Sequence, residues 1–348
     1  MLYHIVAKIW SVITIIMTNP PKRPKTDGVM MKIKSSVLKR TSETVIAYIF
    51  RYTFFLSMSY VLLYPFLYII INAIKGFSDS YDVTVTWVPK SIYLGNIRDA
   101  FTVFDIPENT LRTILYEIVA ALIQFCSTAV AAYGLARFNV KGKGVLMGLM
   151  ILNILVPSMM IIIPSYINFS YMDFFGILGL ISKLVGTDIR PDIVGTPLVF
   201  YLPALTAVGL KGGLFIYIYT QFFKGLPKEL EEAAWIDGAG AWRTFLSIVI
   251  PSSGSAIITV LLFSIVWHWN DYYLAQMYMN EPTFSVALRN FAVHDITEKI
   301  EMSIDMANML TVPIILAGCL LFLLPMLIFY LVMQRKFMAS IATSGIVG

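Results

Sequence analysis

The chain of 348 residues has little charge, little cysteine and little histidine. Charged residues make up 14% of the sequence, against about 25% in soluble domains. Its two cysteines, Cys126 and Cys319, lie in apolar stretches, so we expect small buried side chains rather than a disulfide. The three histidines are scattered and form no metal-ligand pattern. These absences argue against a redox or metal enzyme, and we expect neither a metal nor a cofactor.

A phosphate-binding loop is also missing. The pattern G-x-x-x-x-G-K-[ST] does not occur, and the stretch KGKGV at 141–145 lacks the hydroxyl residue and the flanking strand. The chain therefore cannot hydrolyse ATP by this route. Any ATP-driven process would need a separate ATPase.

Long apolar runs are what the sequence has in abundance. Apolar residues make up 58% of it, and the mean hydropathy is +0.75. The stretches between charged residues reach the length of about 20 residues that a membrane-crossing helix needs. We predict an all-α polytopic protein of the cell membrane, surrounded by the lipid bilayer. Six transmembrane helices are predicted, near 47–74, 113–135, 145–165, 197–223, 253–277 and 308–333.

The basic residues indicate how these helices are oriented. The net charge is +5, but Lys and Arg lie mainly between the apolar spans, where membrane orientation explains them better than nucleic acid does. With the N-terminus inside, fifteen of them fall in inner segments and eight in outer segments. This asymmetry predicts that both termini lie in the cytosol.

The same count divides the chain into segments. A transmembrane domain is expected at 46–336 with a core at 108–333, followed by a cytosolic tail at 337–348. Outer loops are expected at 75–112 and 166–195, the second with an apolar helix along the membrane surface. Residues 1–45 are a cytosolic or interfacial segment without assigned function. Its stretch LYHIVAKIWSVITIIM is either an interfacial amphipathic helix or lies before a true start at Met30 or Met31.

One inner segment, residues 224–251, is unusually acidic, and we call it the acidic loop. It reads KGLPKELEEAAWIDGAGAWRTFLSIVIP. Pro227 suits the first position of a helix, acids follow in the opening turns, and Gly238 suits a left-handed stop. Leu226, Leu230 and Ala234 form a narrow apolar stripe. The pattern predicts a short helix, a glycine turn and a second helix over about 239–249. Such a hairpin either docks on another protein or merely links two spans.

The acidic loop also carries a spaced motif. It matches E-A-A, three residues, G, nine residues, then I-x-L-P, with Ile250 in place of the Leu. This loop resembles that of binding-protein-dependent ABC importers, in which the short helix docks into a groove of a cytosolic ATPase subunit. The resemblance implies a coupling role, with Glu232 as a polar contact and Gly238 as the turn. The implied coupling residues are Glu232, Ala233, Ala234, Asp237, Gly238, Ile248 and Pro251.

Three other stretches resemble one subgroup of that family. AAYGLARFNVKGKGVL at 131–146, WHWNDYYLAQMYM at 267–279 and the tail QRKFMASIATSGIVG are similar to segments of maltose-type carbohydrate permeases, in the smaller, six-span partner. The resemblance covers roughly residues 50–348. It implies a homologous permease partner, two cytosolic ATPase subunits and an extracytoplasmic solute-binding protein, with sugar import by alternating access.

Polar residues at membrane depth are candidates for the translocation path. Lys211 lies about 20 Å along a helix from Lys224, too deep for easy snorkelling. Pro203, Gly209, Gly212 and Gly213 surround it, which favours a broken helix lining a cavity. Lys211 either lines the path or pairs with a carboxylate or with backbone carbonyls between helices.

In the fifth span, Trp267, Asn270 and Asp271 would suit the faces and hydroxyls of a sugar. Alternatively they belong to an interfacial aromatic belt or to packing.

Three rival functions remain at this point. An importer for a polyamine, phosphate or amino acid would carry the same acidic loop. An ATP-independent channel or carrier would leave the loop unexplained. An intramembrane enzyme would need paired carboxylates or a His/Asp or Ser/Lys group at membrane depth, and none stands out in the sequence.

Overall fold

The computed structural model describes the backbone of residues 27–344 except 83, 140, 174 and 175, and side chains from Thr44 to Phe337 within that range, Tyr81 also excepted. The described chain is helical, and its one extended pairing is an isolated bridge between Lys75 and Ile92. The proposed amphipathic stretch before residue 27 lies outside the described residues.

The described chain divides into two compact units, one up to Phe66 and one from Leu67 on. Helix α1 begins in the first unit and ends at Ala73. The helices up to the middle of the chain are α1 (Asp27–Ala73), α2 (Phe77–Tyr81), α3 (Gly95–Val103), α4 (Ile106–Arg137), α5 (Lys143–Leu155), α6 (Ser158–Ser170) and α7 (Ile177–Val185).

The second half contains shorter helices and one long one. These are α8 (Leu198–Leu205), α9 (Gly212–Gly225), α10 (Glu229–Ile236), α11 (Ala241–Ser252), α12 (Gly254–Trp269), α13 (Tyr273–Tyr278), α14 (Phe284–Arg289), α15 (Val293–Lys299) and α16 (Ile304–Ser344). Two of the helices contain a five-residue π-helical segment, at Ile114–Ile118 in α4 and at Phe245–Val249 in α11.

Three described helices are long and apolar enough to cross a membrane: α1 over Thr44–Ala73, α4, and α16 over Ile304–Phe337. Two bent pairs also qualify if each is one broken span. The pair α5 and α6 bends by 106°, and the pair α11 and α12 bends by 84°. The hydropathy pattern therefore identified the apolar segments, but the described chain has three to five candidate spans rather than six continuous helices.

The third and fourth predicted spans are both interrupted. The third breaks where Pro157 precedes α6. The fourth consists of the eight-residue α8 and the fourteen-residue α9, separated by residues 206–211. Within that separation Ala207 and Lys211 have φ of 62° and 60°, a conformation that no α-helix contains. Hydropathy averages over a window and cannot detect such a break, although the Pro and Gly residues around Lys211 predicted it correctly.

Side chains from neighbouring helices satisfy the backbone of this break. The amide of Gln124 in α4 donates to the carbonyl of Leu210 at 2.7 Å, and Ser127 Oγ donates to the carbonyl of Ala204 at 2.5 Å. Asn153 Oδ1 in α5 accepts the N–H of Gly213 at 3.2 Å. A backbone group left unpaired in a lipid-embedded protein costs several kcal/mol, so these contacts are what makes the break tolerable.

Glycine is needed beside the break because the backbones approach closely. A Cβ on Gly212 would lie 2.3 Å from the carbonyl oxygen of Ala207. A Cβ on Gly213 would lie 2.7 Å from Asn153 Oδ1 and 2.9 Å from the carbonyl oxygen of Met150. Neither position can accept a side chain without displacing backbone.

The cysteine expectation needs a correction. Both cysteines are free, as predicted, but Cys126 is exposed and Cys319 is only half-buried. In an apolar span the outer face of a helix is as hydrophobic as its inner face. Residence in such a span therefore does not imply burial by protein.

Candidate functional site: the acidic loop and the break beside it

The acidic loop folds into the helix, turn and helix that its sequence predicts. Helix α10 begins at Glu229, two residues later than Pro227 suggested, and its first turn is acidic. Gly238 follows the helix with φ of 80°, and its N–H donates to the carbonyl of Trp235 at 3.0 Å. The predicted glycine stop is thus confirmed. The second helix, α11, runs on through Pro251 to Ser252 rather than ending near 249.

The outer face of α10 and α11 is apolar and exposed. Ile236 is 87% exposed, Trp242 60% and Leu246 52%, while Leu230 and Trp235 are also exposed. Within the predicted apolar stripe, Leu230 is thus exposed while Ala234 is buried. Exposed apolar side chains grouped on one small element are typical of a surface that another protein covers. We call these five residues the apolar face of the loop.

One side of α10 is buried, and it includes an acid. Glu231 is 3% exposed and Ala234 is 8% exposed. Glu231 Oε1 lies 2.5 Å from Arg137 Nε, and the two side chains are only 4% and 5% exposed. Tyr133 donates its hydroxyl hydrogen to Glu231 Oε2 at 3.1 Å. Sequence inspection counted Glu231 and Arg137 only as charges and missed this contact.

Arg137 also holds the start of the acidic loop. Its Nη2 donates to the carbonyl of Leu226 at 2.8 Å. The approach of its Nε to Glu231 is an ion contact that lies outside hydrogen-bond geometry. One guanidinium at the end of α4 therefore contacts both the entry to the loop and its short helix.

Aromatic packing surrounds this ion pair. The ring of Tyr133 lies 4.8 Å from that of Phe245 and 6.3 Å from that of Phe223, measured between centroids. Phe223 and Phe245 are 0% and 3% exposed. The π segment of α11, which begins at Phe245, is thus joined through Tyr133 to the same end of α4.

The residues with an implied coupling role are spread over the loop surface. Ala234 is buried and Ile248 is half-buried. The others are exposed: Glu232, Ala233, Asp237, Gly238 and Pro251. The structure does not gather them into one pocket, and most of them flank the apolar face.

Two of the candidate path residues come together. Lys211 Nζ lies 5.9 Å from the ring centroid of Trp267, the range of a cation–π contact. The Trp267 ring in turn stacks on Phe215 at 5.7 Å and on Phe263 at 5.3 Å. Lys211 is exposed and forms no salt bridge within the described residues. The alternative in which it pairs with a carboxylate is not what the described structure contains.

Asn270 and Asp271 make local contacts instead. Asn270 Nδ2 donates to the carbonyl of Val266 at 2.7 Å, and Asp271 Oδ1 accepts the N–H of Leu274 at 3.4 Å. These bonds close the end of α12 and open α13. Tyr272 and Tyr273 follow with their rings 3.9 Å apart.

A buried acid in α4 was also missed. Glu117 lies in the first π segment, is 1% exposed, and has no hydrogen-bond partner for either carboxylate oxygen within the described residues. Asp271 lies within electrostatic range of it. Among the described residues, Glu117 and Asp271 come closest to the paired carboxylates that an intramembrane enzyme would need. Glu117 is buried, however, so its carboxylate is not accessible to a substrate.

The overall fold is that of an ABC importer permease. The chain matches a chain in the crystal structure of a bacterial ABC transporter involved in the import of the acidic polysaccharide alginate, with a TM-score of 0.58. The match covers 91% of this chain and all of that one, at 16% identity. At this identity the likeness concerns the fold alone.

The family follows from the sequence match. Residues 125–338, which include the acidic loop, fit the family of binding-protein-dependent transport system inner membrane components, and the chain belongs to that family. It is therefore a multi-pass inner membrane protein and a permease subunit of a transport system.

Individual relatives are about one quarter identical. The probable starch degradation products transport system permease protein AmyC of Thermoanaerobacterium thermosulfurigenes is 25% identical, covering 81% of this chain and 90% of that one. The trehalose transport system permease protein SugB of Mycobacterium tuberculosis is 25% identical, covering 84% of this chain and 95% of that one. The melibiose/raffinose/stachyose import permease protein MelC of Bacillus subtilis is 25% identical, covering 82% of this chain and 91% of that one.

Proposed function

We propose that this chain is the membrane-spanning permease subunit of an ATP-driven importer for a sugar or oligosaccharide. The relatives named for starch products, trehalose and the raffinose series support the substrate class, because they align over at least four fifths of this chain. The observation that carries the ATP-driven part is the acidic loop, with its spaced motif and its exposed apolar face.

The proposed topology keeps both termini in the cytosol and six passes through the membrane, the third and fourth of them broken. The excess of Lys and Arg in the inner segments supports this orientation. In it the acidic loop lies in the cytosol between the fourth and fifth passes. The permease domain extends over 46–336, with a core at 108–333 and a short tail after it.

We propose that the apolar face of the loop docks on a cytosolic ATPase subunit. An exposed Ile236 and Trp242 in water carry a hydrophobic cost that a partner's groove would remove. Glu232 and Asp237 border this face as polar contacts, and Gly238 sets the angle between α10 and α11. Ala233, Ala234, Ile248 and Pro251 complete the coupling set by allowing close approach and by leading the chain back to α12.

Lys211 and Trp267 are the proposed path residues. A cation beside a half-buried aromatic ring offers a hydrogen-bond donor and a stacking surface, which suits the hydroxyls and C–H faces of a sugar. Asn270 and Asp271 stay in the proposal as residues that shape this region. Movement of the docked loop would open the path alternately to the two sides.

The assembly would contain a homologous permease, two ATPase subunits and an extracytoplasmic solute-binding protein. Co-expression with permease, ATPase and solute-binding protein genes from the same genome, followed by purification through a tag on this chain, tests it. We expect an ATPase subunit and a second permease to co-purify, and uptake of labelled maltooligosaccharide, trehalose or raffinose to require ATP. Uptake that persists without ATP, or a chain that purifies alone, would contradict the proposal.

The second candidate is an importer of the same family for a non-sugar solute. The relative GgtD of Synechocystis, 28% identical over 64% of this chain and 70% of that one, is named for osmoprotective compounds, a class not defined as sugars. Competition by unlabelled polyamine, phosphate or amino acid in the same uptake assay separates the two. Competition by sugars alone favours the first.

A further inference from the structure

We propose that Tyr133, Arg137 and Glu231 form a clamp that makes the docking helix α10 and the end of α4 move as one body. The inference rests on the proposed docking of the acidic loop. Through this contact, movement of the ATPase would be transferred to the membrane-spanning helices. The three residues are therefore positioning residues for coupling.

The clamp is built to be stiff. Glu231 contacts Arg137 through one carboxylate oxygen and Tyr133 through the other, so its orientation is held from two sides. The guanidinium is planar and also bonds to the carbonyl of Leu226, which fixes it as well. An ion pair buried to this degree is costly to separate, because each charge would be left without a partner.

The contact lies on the buried side of α10, about 140° around the helix from the exposed Ile236. Ile236 is 87% exposed, whereas Glu231 is buried together with Ala234. A force applied by a partner to Ile236 would therefore pass across one short helix to Glu231 and from there to Arg137.

Helix α4 then leads from the clamp to the break beside Lys211. Arg137 is its last residue, and Gln124 and Ser127, which hold the carbonyls of Leu210 and Ala204, lie on the same helix. The fourteen residues from Gln124 to Arg137 span about 20 Å of uninterrupted α-helix. The acidic loop and the break are thus attached to the two ends of one stiff segment, so a shift at one end displaces the other.

The test uses the complete complex, this chain with its co-expressed permease, ATPases and binding protein, in proteoliposomes. The measured quantity is solute taken up per ATP hydrolysed. Glu231→Gln keeps the shape and the acceptor for Tyr133 but removes the charge. Glu229→Gln is the matched control, since it removes an exposed acid from the same turn of the same helix.

We expect Glu231→Gln to lower uptake per ATP by about tenfold while ATP hydrolysis stays within about twofold, a coupling of ordinary size. Arg137→Lys should lower the ratio by about threefold, because an ammonium cannot hold both Glu231 and Leu226 in one plane. Tyr133→Phe should have the smallest effect, about twofold, since it removes one hydrogen bond. The double variant Arg137→Glu with Glu231→Arg exchanges the two charges and should restore part of the uptake per ATP that Glu231→Gln loses.

Two results overturn the clamp. One is a normal uptake per ATP in Glu231→Gln. The other is a combination of three results. The Glu231→Gln chain fails to accumulate in the membrane, the charge exchange restores its accumulation, and Tyr133→Phe and Arg137→Lys show a normal uptake per ATP. The contact would then serve folding alone. Failure of the proposed function has a different signature, because the unmutated complex would then show no ATPase subunit or no ATP-dependent uptake.

Discussion

Two interruptions of the helical chain are attached to α4, and they are held in different ways. The acidic loop is held by a charged pair, Arg137 with Glu231, at the end of the helix. The break at 206–211 is held by neutral groups, the amide of Gln124 and the hydroxyl of Ser127. Neutral amides and hydroxyls cost less to bury than ions do, so they suit the apolar interior. At the end of α4 the ion pair is buried, with side chains 5% and 4% exposed, and it resists separation more strongly because each charge would be left without a partner.

The largest expected effect is at the break. Gly212→Ala places a Cβ 2.3 Å from the carbonyl oxygen of Ala207, so the backbone must shift. We expect the free energy of unfolding to fall by about 3 kcal/mol, at the upper end for overpacking. The melting temperature of the purified complex in detergent measures it.

The matched control is Gly148→Ala in α5, which has no atom within 4 Å of the new Cβ and removes a glycine from a helix. It should leave the melting temperature unchanged or raise it slightly. Equal stability of the two variants would show that the close approach at Gly212 is not a constraint.

Next in size is the loss of a polar contact at the same break. Gln124→Leu removes the donor to the carbonyl of Leu210, which then lies part-buried without this hydrogen bond. The expected loss is about 1–3 kcal/mol. Cys126→Ala, an exposed position on the same helix, is the control and should change little. A fully stable Gln124→Leu variant would mean that another group can satisfy this carbonyl.

A smaller effect is expected at the turn of the acidic loop. Gly238 has φ of 80° and no atom within 4 Å of a built Cβ, so only its backbone conformation restricts it. Gly238→Val should cost about 1–2 kcal/mol in that conformation and reduce ATP-dependent uptake by about tenfold.

Gly238→Asn is the informative comparison, because asparagine adopts left-handed conformations readily. It should keep most of the uptake that the valine variant loses. If both variants transport normally, the angle set by Gly238 does not matter for coupling.

The smallest effect is expected from Lys211→Met, which removes the cation beside Trp267 and keeps the length of the side chain. We expect the KM for uptake to rise by about threefold, since a cation–π contact of this kind contributes about 0.5–1 kcal/mol. Assembly with the ATPase should be unchanged. Normal uptake would remove Lys211 from the path.

Local patterns in the sequence predicted local structure well. The glycine stop after α10 and the break around Lys211 both follow from backbone preferences of a few neighbouring residues, and both are present. The pairing of Tyr133 with Glu231 joins positions 98 residues apart, and nothing near either residue indicates the other. The sequence shows two acids side by side, Glu231 and Glu232, and only the packed structure distinguishes the buried one from the exposed one.

The π segment at Phe245–Val249 gives the fixed spacing of the acidic loop a physical meaning. A π turn holds one residue more than an α turn, and one residue turns an α-helix by about 100°. The number of residues between Gly238 and Pro251 therefore determines the rotation of the apolar face of the loop relative to the start of α12. Deleting a single residue there would leave α10 and α12 intact and would rotate α10 relative to α12 by about 100°.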